Sequence, residues 1–370
     1  MLGYGREEVD EAVRKVISSG NMSTLNCPEE VFLAEKLIEL HPWAEMVRFA
    51  RTGGEANSIA VRLARAASGK DKVAFCGYHG WHDWYLAANL SGETDNLSPH
   101  LLEGLAPKGV ASGLAGSVHP FLYGDFECLQ ALVDQEDIGT IKMEVARNKA
   151  PDIVFLKKVR NLCNKKGIVL VFDECTSGFR QSLGGLHMDY EVQPDVAVFG
   201  KALGNGYAVT AVVGREIIMR EAQSTFISST FWTERIGSGA GLATIKVMEE
   251  EESWTRIKKT GREIRDGWQS VADDYGLKIN LTGIPSLPSF SIEEVSFNHC
   301  KTLISQEMLS RGYLASNTVY ICVEHTSKIV DQYLEALRPV FRLIGECQNG
   351  RDIAELLVGE VCHSGFKRLN

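Results

Sequence analysis

The feature that most constrains this chain is an alternation of short apolar runs with segments of helical periodicity. Four runs have the length of buried strands: residues 72–76, 140–145, 167–172 and 195–199. Helical spacing occurs between several of them, most clearly in residues 153–166. Helices that alternate with buried strands predict an α/β fold in which a mostly parallel sheet is flanked by helices.

The two ends of the chain differ from this alternation. Helical periodicity is present in three early segments, residues 6–18, 29–40 and 55–67. Residues 235–276 are expected to form long helices, and the tail from Ser286 mixes short strands with a helix near residues 329–344. We therefore expect three parts: an N-terminal segment (1–44), a large domain (45–255) and a smaller α+β C-terminal domain (256–370).

Composition excludes several classes of protein. The 370 residues are 44% hydrophobic and 24% charged, which is typical of a soluble globular enzyme. The net charge of −9 and the lack of a basic run argue against a nucleic-acid partner. No stretch has the length of a membrane-spanning helix, and the start lacks a signal-peptide pattern, so we expect a cytoplasmic protein. Nine scattered cysteines without a Cys-x-x-Cys pair predict neither disulfides nor a metal site.

Charged side chains follow two of the apolar runs, at the positions where ligands bind in an open α/β sheet. One run ends at Asp173 and Glu174, and a buried carboxylate is costly unless it meets a cation or a hydrogen-bond donor. Another run is followed by Gly200 and Lys201. A desolvated lysine loses its proton readily and becomes a nucleophilic amine that is suited to Schiff-base chemistry.

Two glycine-rich segments also contain candidate ligand-binding residues. Gly53 and Gly54 open a helix whose free N–H groups can bind a phosphate, although the segment Thr-Gly-Gly-Glu (52–55) could equally be a capped surface helix. Tyr78 lies between glycines directly after a run, where it either stacks on a ligand or packs in the core. A lysine, a carboxylate, a phosphate cradle and an aromatic face are together what pyridoxal 5'-phosphate (PLP) requires.

These motifs resemble those of the class III, fold type I aminotransferases, and within them the group similar to glutamate-1-semialdehyde 2,1-aminomutase. The resemblance covers nearly the whole chain. It rests on the phosphate loop and Gly-Tyr-His-Gly (53–80), Met-Glu (143–144), Asp-Glu-x-x-Ser-Gly-Phe-Arg (173–180) and Gly-Lys-Ala-Leu-Gly-Asn-Gly-Tyr (200–207). It implies a PLP enzyme with a fold type I large domain and a small C-terminal domain.

The resemblance also implies roles for individual residues. Lys201 would form the Schiff base and then move protons, and Asp173 would hold the pyridine nitrogen of the cofactor. Thr230 would reach the cofactor phosphate of a neighbouring subunit, which implies a homodimer. The remaining cofactor contacts would be the phosphate-binding glycines, the ring-stacking aromatic residue and three neighbours of the ring: Gly53, Gly54, Tyr78, His79, Glu144 and Cys175.

The sequence departs from the family pattern at several positions. Cys175 stands where the family usually has Val or Ile, Val145 replaces a proline, and Thr-Glu-Arg (233–235) replaces Gly-Asn-Pro. Family members also carry several dozen residues before the segment that matches residues 2–5. We therefore expect that the N-terminal part of the family is missing here, and a PLP-binding protein without turnover is one alternative.

The reaction and the substrate are less constrained than the cofactor. PLP supports transamination between an amino donor and a carbonyl acceptor, and also intramolecular amino migration. Residues 205–214 depart from the aminomutase pattern, which favours an aminotransferase over an aminomutase. Three arginines could bind a substrate carboxylate or form structural ion pairs: Arg147, Arg180 and Arg235. Three further residues are candidates for the entrance: Asn21, Ser23 and Trp81.

Overall fold

A computed structural model describes residues 1–22, 24–90, 95–100, 103–146, 150–293, 296–363 and 365. The chain forms two compact units. The large unit contains residues 2–146 and 151–252, and the small unit contains Met1, Ala150 and the residues from Ser253 onward. Within the described ranges, no helix is long and apolar enough to cross a membrane. All nine cysteines are free thiols.

The large unit is built around a seven-stranded sheet. Its strands are β1 Met46–Ala50, β2 Lys72–Cys76, β3 Val118–Pro120, β4 Ile138–Glu144, β5 Val169–Asp173, β6 Val196–Phe199 and β7 Thr210–Gly214. Their order across the sheet is β1-β7-β6-β5-β4-β2-β3. β7 is antiparallel to both of its neighbours, and all the other pairs are parallel. The expected α/β fold with a mostly parallel sheet is confirmed.

The large unit also contains α-helices, several of which pack against this sheet. They are α1 Glu7–Ser18, α2 Pro28–Leu40, α3 Gly53–Ser68, α4 Asp83–Leu86, α5 Phe126–Gln135, α6 Ile153–Lys166, α7 Glu216–Met219 and α8 Arg235–Glu251. α3 packs through small residues such as Ala56 and Ala60 against a sheet face that includes Val171 and Val198. Small side chains allow the helix backbone to approach the sheet closely, so the start of α3 lies near the carboxyl ends of the strands.

The register of the central strands aligns their polar ends. Every residue of β4 and β5 is buried, as expected for parallel strands that are covered on both faces. Glu144 at the end of β4 pairs with Asp173 at the end of β5, and Asp173 pairs with Val198 of β6. The carboxyl ends of three neighbouring strands therefore meet at one edge of the sheet.

The small unit is an α+β structure. It contains α9 Ser253–Asp274, β8 Ile279–Ile284, β9 Leu287–Ile292, α10 Phe297–Ser310 and α11 Ser327–Gln348. β8 and β9 form an antiparallel hairpin. Its core contains an edge-to-face pair of Trp268 and Phe290, with ring centroids 4.7 Å apart. The indole N–H of Trp268 donates to the hydroxyl of Tyr333 at 2.8 Å, so this buried ring is also satisfied as a donor.

We expect Gly261→Ala to destabilise the small unit by about 1–3 kcal/mol, although alanine favours helices over glycine. A Cβ at Gly261 in α9 would overlap the carbonyl oxygen of Pro285, which is backbone and cannot turn aside. Gly267→Ala is the matched control, because its Cβ would meet only the end of the Leu334 side chain. Denaturant unfolding followed by tryptophan fluorescence measures both. Equal losses would contradict the backbone overlap.

Candidate active site

A cavity of about 590 Å³ opens at the carboxyl edge of the sheet, within the large unit. It is formed by the ends of β5 and β6, the start of α3 and the loop that follows β2. Its lining includes six of the nine residues predicted from the sequence: Gly53, Gly54, Tyr78, Asp173, Cys175 and Lys201. Residues that are far apart in the chain are therefore brought together in one space.

Asp173 is buried and is held by three donors. Its Oδ2 accepts from Nδ2 of Asn57 at 2.8 Å and from Nδ1 of His79 at 2.9 Å. Its Oδ1 accepts from the backbone N–H of Cys175 at 3.0 Å. A carboxylate offers about four lone-pair sites, so these three bonds fix the group and leave room for one more donor.

The charge on Asp173 is stable. Burial raises the pKa of this carboxyl, but the nearby Lys142, the hydrogen bond from His79 and the N–H of Cys175 lower it by more. The resulting pKa lies well below the usual range, so Asp173 is ionised at neutral pH. Burial lowers the pKa of His79 to about 4, against the opposing effect of its hydrogen bond to Asp173. His79 is therefore neutral at pH 7, and its N–H is on Nδ1 because the ionised Asp173 can only accept, while Nε2 lies 3.1 Å from the carbonyl oxygen of Cys76.

Lys201 follows β6 in a strained turn. Its φ is +45°, in the left-handed region that non-glycine residues rarely adopt. The side chain is exposed to the cavity, and Nζ donates to Oγ1 of Thr176 at 2.6 Å. A Cβ at Gly200 would lie 2.9 Å from Cγ2 of Thr210, so only glycine allows this close approach. The turn therefore presents the lysine amine in a defined position.

In the part of the chain that is described, the start of α3 leaves backbone N–H groups free at the positive end of the helix. Thr52 and Glu55 form a capping box: the N–H of Glu55 donates to Oγ1 of Thr52, and the N–H of Thr52 donates to Oε2 of Glu55. Among the residues that the structure describes, nothing accepts from the N–H groups of Gly53 and Gly54. The helix is thus capped as one alternative predicted, and it still offers free donors at its positive end.

Two side chains complete the walls of the cavity beside α3. Nε2 of His82 would be 2.8 Å from a Cβ at Gly54, so the imidazole lies directly against the first turn. Sγ of Cys175 would be 3.6 Å from a Cβ at Gly53. Burial raises the pKa of the Cys175 thiol well above its ordinary value, so this thiol is neutral and acts as a small apolar wall.

Glu144 supports the loop that carries Tyr78. Its Oε2 accepts from the N–H of Tyr78 at 2.9 Å. Gly77 has a φ of +107°, and a Cβ there would lie 2.5 Å from the same oxygen. Only glycine fits at this point, so the loop is held against the end of β4. Glu144 contacts the backbone of this loop and is not part of the cavity lining.

Glu174 has a different environment from that of its neighbour Asp173. Its Oε1 accepts from Nδ1 and the N–H of His187 at 2.6 and 2.9 Å. Its Oε2 accepts from Oγ of Ser177 at 2.6 Å and from the N–H of Leu186 at 2.9 Å. Burial raises the pKa of Glu174, but these hydrogen bonds and His187 lower it by more, so it is ionised. Glu174 holds a turn of the chain and does not line the cavity.

Several other candidate site residues that were predicted from the sequence do not line the cavity. Thr230 is exposed and begins a short helical turn. Arg235 forms a two-pronged ion pair with Glu29 at 2.7 and 3.0 Å, and its backbone N–H donates to the carbonyl of Asn21. Arg147 and Ser23 fall outside the described residues.

Arg180 is not part of the cavity lining, whereas Trp81 is. Nε of Arg180 donates to the carbonyl of Thr176, so this buried guanidinium supports the turn that follows β5. Trp81 lines the cavity and is 70% exposed, as expected for a residue at its entrance.

Two residues that contact the central groups were not predicted from the sequence. Asn57 lies one turn after Gly53 on the same face of α3, so helical spacing could have placed it beside the cavity. Thr176 accepts a hydrogen bond from Lys201 and follows Asp173 by three residues. Neither residue is charged, so no cost of burial had drawn attention to it.

The residues fit PLP as expected from the motifs. The free N–H groups at the start of α3 suit a phosphate. Asp173 is an ionised carboxylate with room for one more donor, and Lys201 presents an amine to the same cavity. Oδ1 of Asn57 is buried without a hydrogen-bond partner among the described residues, which is a feature of a site whose donors and acceptors are completed by a ligand.

Comparisons with known proteins agree with this geometry. The profile of class III aminotransferases matches residues 1–287. The chain is 33% identical to a 3-aminobutyryl-CoA aminotransferase of Cloacimonas acidaminovorans, over 91% of this chain and 81% of the relative. It is 30% identical to a glutamate-1-semialdehyde 2,1-aminomutase of Methanothrix thermoacetophila, over 91% of this chain and 82% of the relative. The FumI protein of a Sphingopyxis species has the same fold, with a TM-score of 0.85 at 22% identity, covering 96% of this chain and 85% of that one.

We expect Glu174→Gln to lower the free energy of unfolding by about 3 kcal/mol at pH 7. Because the folded pKa of Glu174 is lowered, its ionised form stabilises the fold above the unfolded pKa of about 4.3, and this contribution is lost as the pH falls through the folded value. The difference between variant and wild type should therefore shrink below about pH 4. Denaturant titrations at several pH values measure it, with the exposed Glu39→Gln as control. A loss that is independent of pH would contradict this interpretation.

Proposed function

Because the chain belongs to the class III aminotransferase family, whose cofactor is pyridoxal 5'-phosphate, we propose that Lys201 binds this cofactor and carries out amino transfer. The substrates are a small-molecule amino donor and a carbonyl acceptor. The observation that carries the proposal is that the amine of Lys201 and the ionised carboxylate of Asp173 line one cavity, together with the open start of α3. We propose residues 45–255 as the cofactor-binding domain, because all the lining residues fall in that range.

Each wall of the cavity suits one part of the cofactor. Asp173 would accept the proton of the pyridine nitrogen, and the N–H groups of Gly53 and Gly54 would bind the phosphate. Tyr78 and Cys175 would lie against the ring. His79 and Glu144 would contribute from behind these groups, through their hydrogen bonds to Asp173 and to the N–H of Tyr78. When bound, PLP supplies an electron sink for negative charge that develops on the substrate carbon.

The protein's own groups then have separate tasks. Asp173 remains ionised over the working pH range and so keeps a proton on its bonded nitrogen. Nζ of Lys201 moves a proton to and from the substrate carbon, as a general base and then a general acid. The hydroxyl of Thr176 accepts a hydrogen bond from Nζ and orients it. The walls of α3 and of the loop after β2 limit the access of water to these groups.

Intramolecular amino migration is the second candidate function. It is favoured by the 30% identity to a glutamate-1-semialdehyde 2,1-aminomutase. Transfer between two substrates is favoured by the 33% identity to 3-aminobutyryl-CoA aminotransferase and by residues 205–214, which depart from the aminomutase pattern. We therefore place aminotransferase first.

A homodimer with shared sites is part of the proposal. Thr230 is exposed, lies outside the cavity of its own chain and is followed by Phe231, which is 61% exposed. An exposed aromatic residue beside a residue that matches a family phosphate contact supports an interface at this point. Nine free cysteines support a reducing, cytoplasmic location.

Incubation of the purified protein with an amino donor and a keto acceptor should produce amino exchange, and Lys201→Ala should lower the rate by at least about 10²–10⁴-fold. The visible band of bound PLP should be removed by borohydride in the wild type, and should be absent from Lys201→Ala before substrate is added. Lys259→Ala, at an exposed site, serves as control. Isomerisation of a semialdehyde without exchange would favour the aminomutase, and unchanged turnover in Lys201→Ala would refute the assignment of the lysine.

Thr230→Val should weaken PLP binding by about 10–100-fold if its hydroxyl bonds to a phosphate. A hybrid of one Lys201→Ala chain and one Thr230→Val chain tests which cavity Thr230 serves. If Thr230 reaches the partner's cavity, the hybrid contains one intact site and should recover about half of the wild-type activity at a PLP concentration limiting for Thr230→Val. A hybrid no more active than its parents would place Thr230 in its own chain's site.

A further inference from the structure

Lys142 is a fully buried lysine in the middle of the sheet. It lies in β4 between Ile141 and Met143, and its side chain has no exposed surface. Within the described part of the chain, Nζ has no hydrogen-bond partner. Lysine is among the residues that are almost never fully buried without a partner, because desolvation of the ammonium group is costly. The position therefore needs an explanation beyond packing.

The register of the strands places Lys142 on the same face as the two carboxylates at the sheet edge. Successive side chains of a strand alternate between faces, so Lys142 and Glu144 share one face of β4. Lys142 pairs with Val171 and Glu144 pairs with Asp173 on the parallel strand β5, so Asp173 also lies on this face. α3 covers the same face through its contacts with Val171.

The groups that face Lys142 are mostly acidic. They are Glu144 from β4, Asp173 from β5 and the Cys175 thiol that follows β5. His79, from the loop after β2, also feels the charge of Lys142 and is itself neutral at pH 7. Burial lowers the pKa of Lys142 below its ordinary value, and Asp173, Cys175 and Glu144 offset part of that shift. The two carboxylates end neighbouring strands in register, so without a cation their like charges would oppose each other in a dry environment.

We propose that Lys142 is a positioning residue whose buried ammonium group is the shared counter-ion of Asp173 and Glu144. It keeps both carboxylates ionised while α3 and the sheet exclude water from them. The proposal deepens the function proposed above and rests on it, because Asp173 is there the acceptor for the pyridine nitrogen. Lys142 acts through Asp173 and does not line the cavity, so it would not touch the substrate.

The positive charge of Lys142 should also be felt by the protons of the bound cofactor. At separations of about 7–10 Å and an effective dielectric constant of about 20, one unit charge shifts a neighbouring pKa by about 1–2 units. Removing a positive charge makes nearby groups hold their protons more tightly. The pH at which the visible band of the cofactor titrates should therefore rise when Lys142 is made neutral.

The test compares the visible pH titration of four holoenzymes: wild type, Lys142→Met, Lys142→Gln and Thr140→Val. Thr140 is the matched control, because it is buried on the same strand and face and its hydroxyl also lacks a hydrogen-bond partner among the described residues. We expect the apparent pKa of the band to rise by about 1–2 units in both Lys142 variants and by less than about 0.3 unit in Thr140→Val. No shift, a downward shift, or an equal shift in Thr140→Val would overturn the proposal.

A second measurement covers the case in which the neutral variants do not fold. In wild-type holoenzyme with ¹⁵N-labelled lysine, a buried Lys142 ammonium should give a signal that is protected from exchange at pH 7. If every lysine signal other than that of Lys201 is either an exposed ammonium or a neutral amine, the proposal is overturned. Failure of the underlying function has a different signature, since the wild type would then show no visible band that borohydride removes.

Discussion

The structure of the site depends on the burial of one charge, the carboxylate of Asp173. A carboxylate at the end of a buried strand is stable only if donors and positive charge surround it. Asn57 of α3, His79 of the loop after β2 and the N–H of Cys175 each supply a donor, and they come from three separate parts of the chain. The requirement of this single group thus fixes how α3, the loop and the turn after β5 are arranged around the cavity.

The neighbouring carboxylates of Asp173 and Glu174 have distinct roles because their side chains have different hydrogen-bond partners. Asp173 lies on the face covered by α3 and borders the cavity, whereas Glu174 is bonded to His187 and to the backbone of Leu186. Nε2 of His187 in turn accepts from the indole of Trp43, so Glu174 ties the turn after β5 to the segment between α2 and β1. One carboxylate is thereby free for chemistry while the next one holds the scaffold.

The sequence predicted those parts of the fold whose signal is local. The strand at residues 72–76 and the helix at residues 153–166 match the structure, because apolar runs and helical spacing depend only on neighbouring residues. β1 was not predicted, since Arg48 interrupts its apolar pattern. In the structure, Cζ of Arg48 lies 5.9 Å from the centroid of the Trp232 ring. β7 was also not predicted, and its antiparallel direction could not be, because strand direction depends on the path of the chain between strands and leaves no periodicity in the sequence.

The same distinction applies to the site. Asp173 and Lys201 could be predicted because a charged residue after an apolar run is locally anomalous, and the family motifs then gave them expected roles. Asn57 is separated from Asp173 by 116 residues, so their hydrogen bond depends on how closely α3 packs on the sheet.

The conformation of Lys201 shows how the scaffold determines the position of a reactive group. A left-handed φ of +45° costs a lysine roughly 1–2 kcal/mol, and the cost must be offset by surrounding structure. Here β6 is held between β5 and β7, and Gly200 lies against Thr210 of β7, so the chain leaves the strand in only one direction. The short helical turn from Lys201 to Gly204 then fixes the other side. The backbone is thus constrained on both sides, and the hydrogen bond from Nζ to Oγ1 of Thr176 orients the amine, so the binding of a ligand needs to order it less.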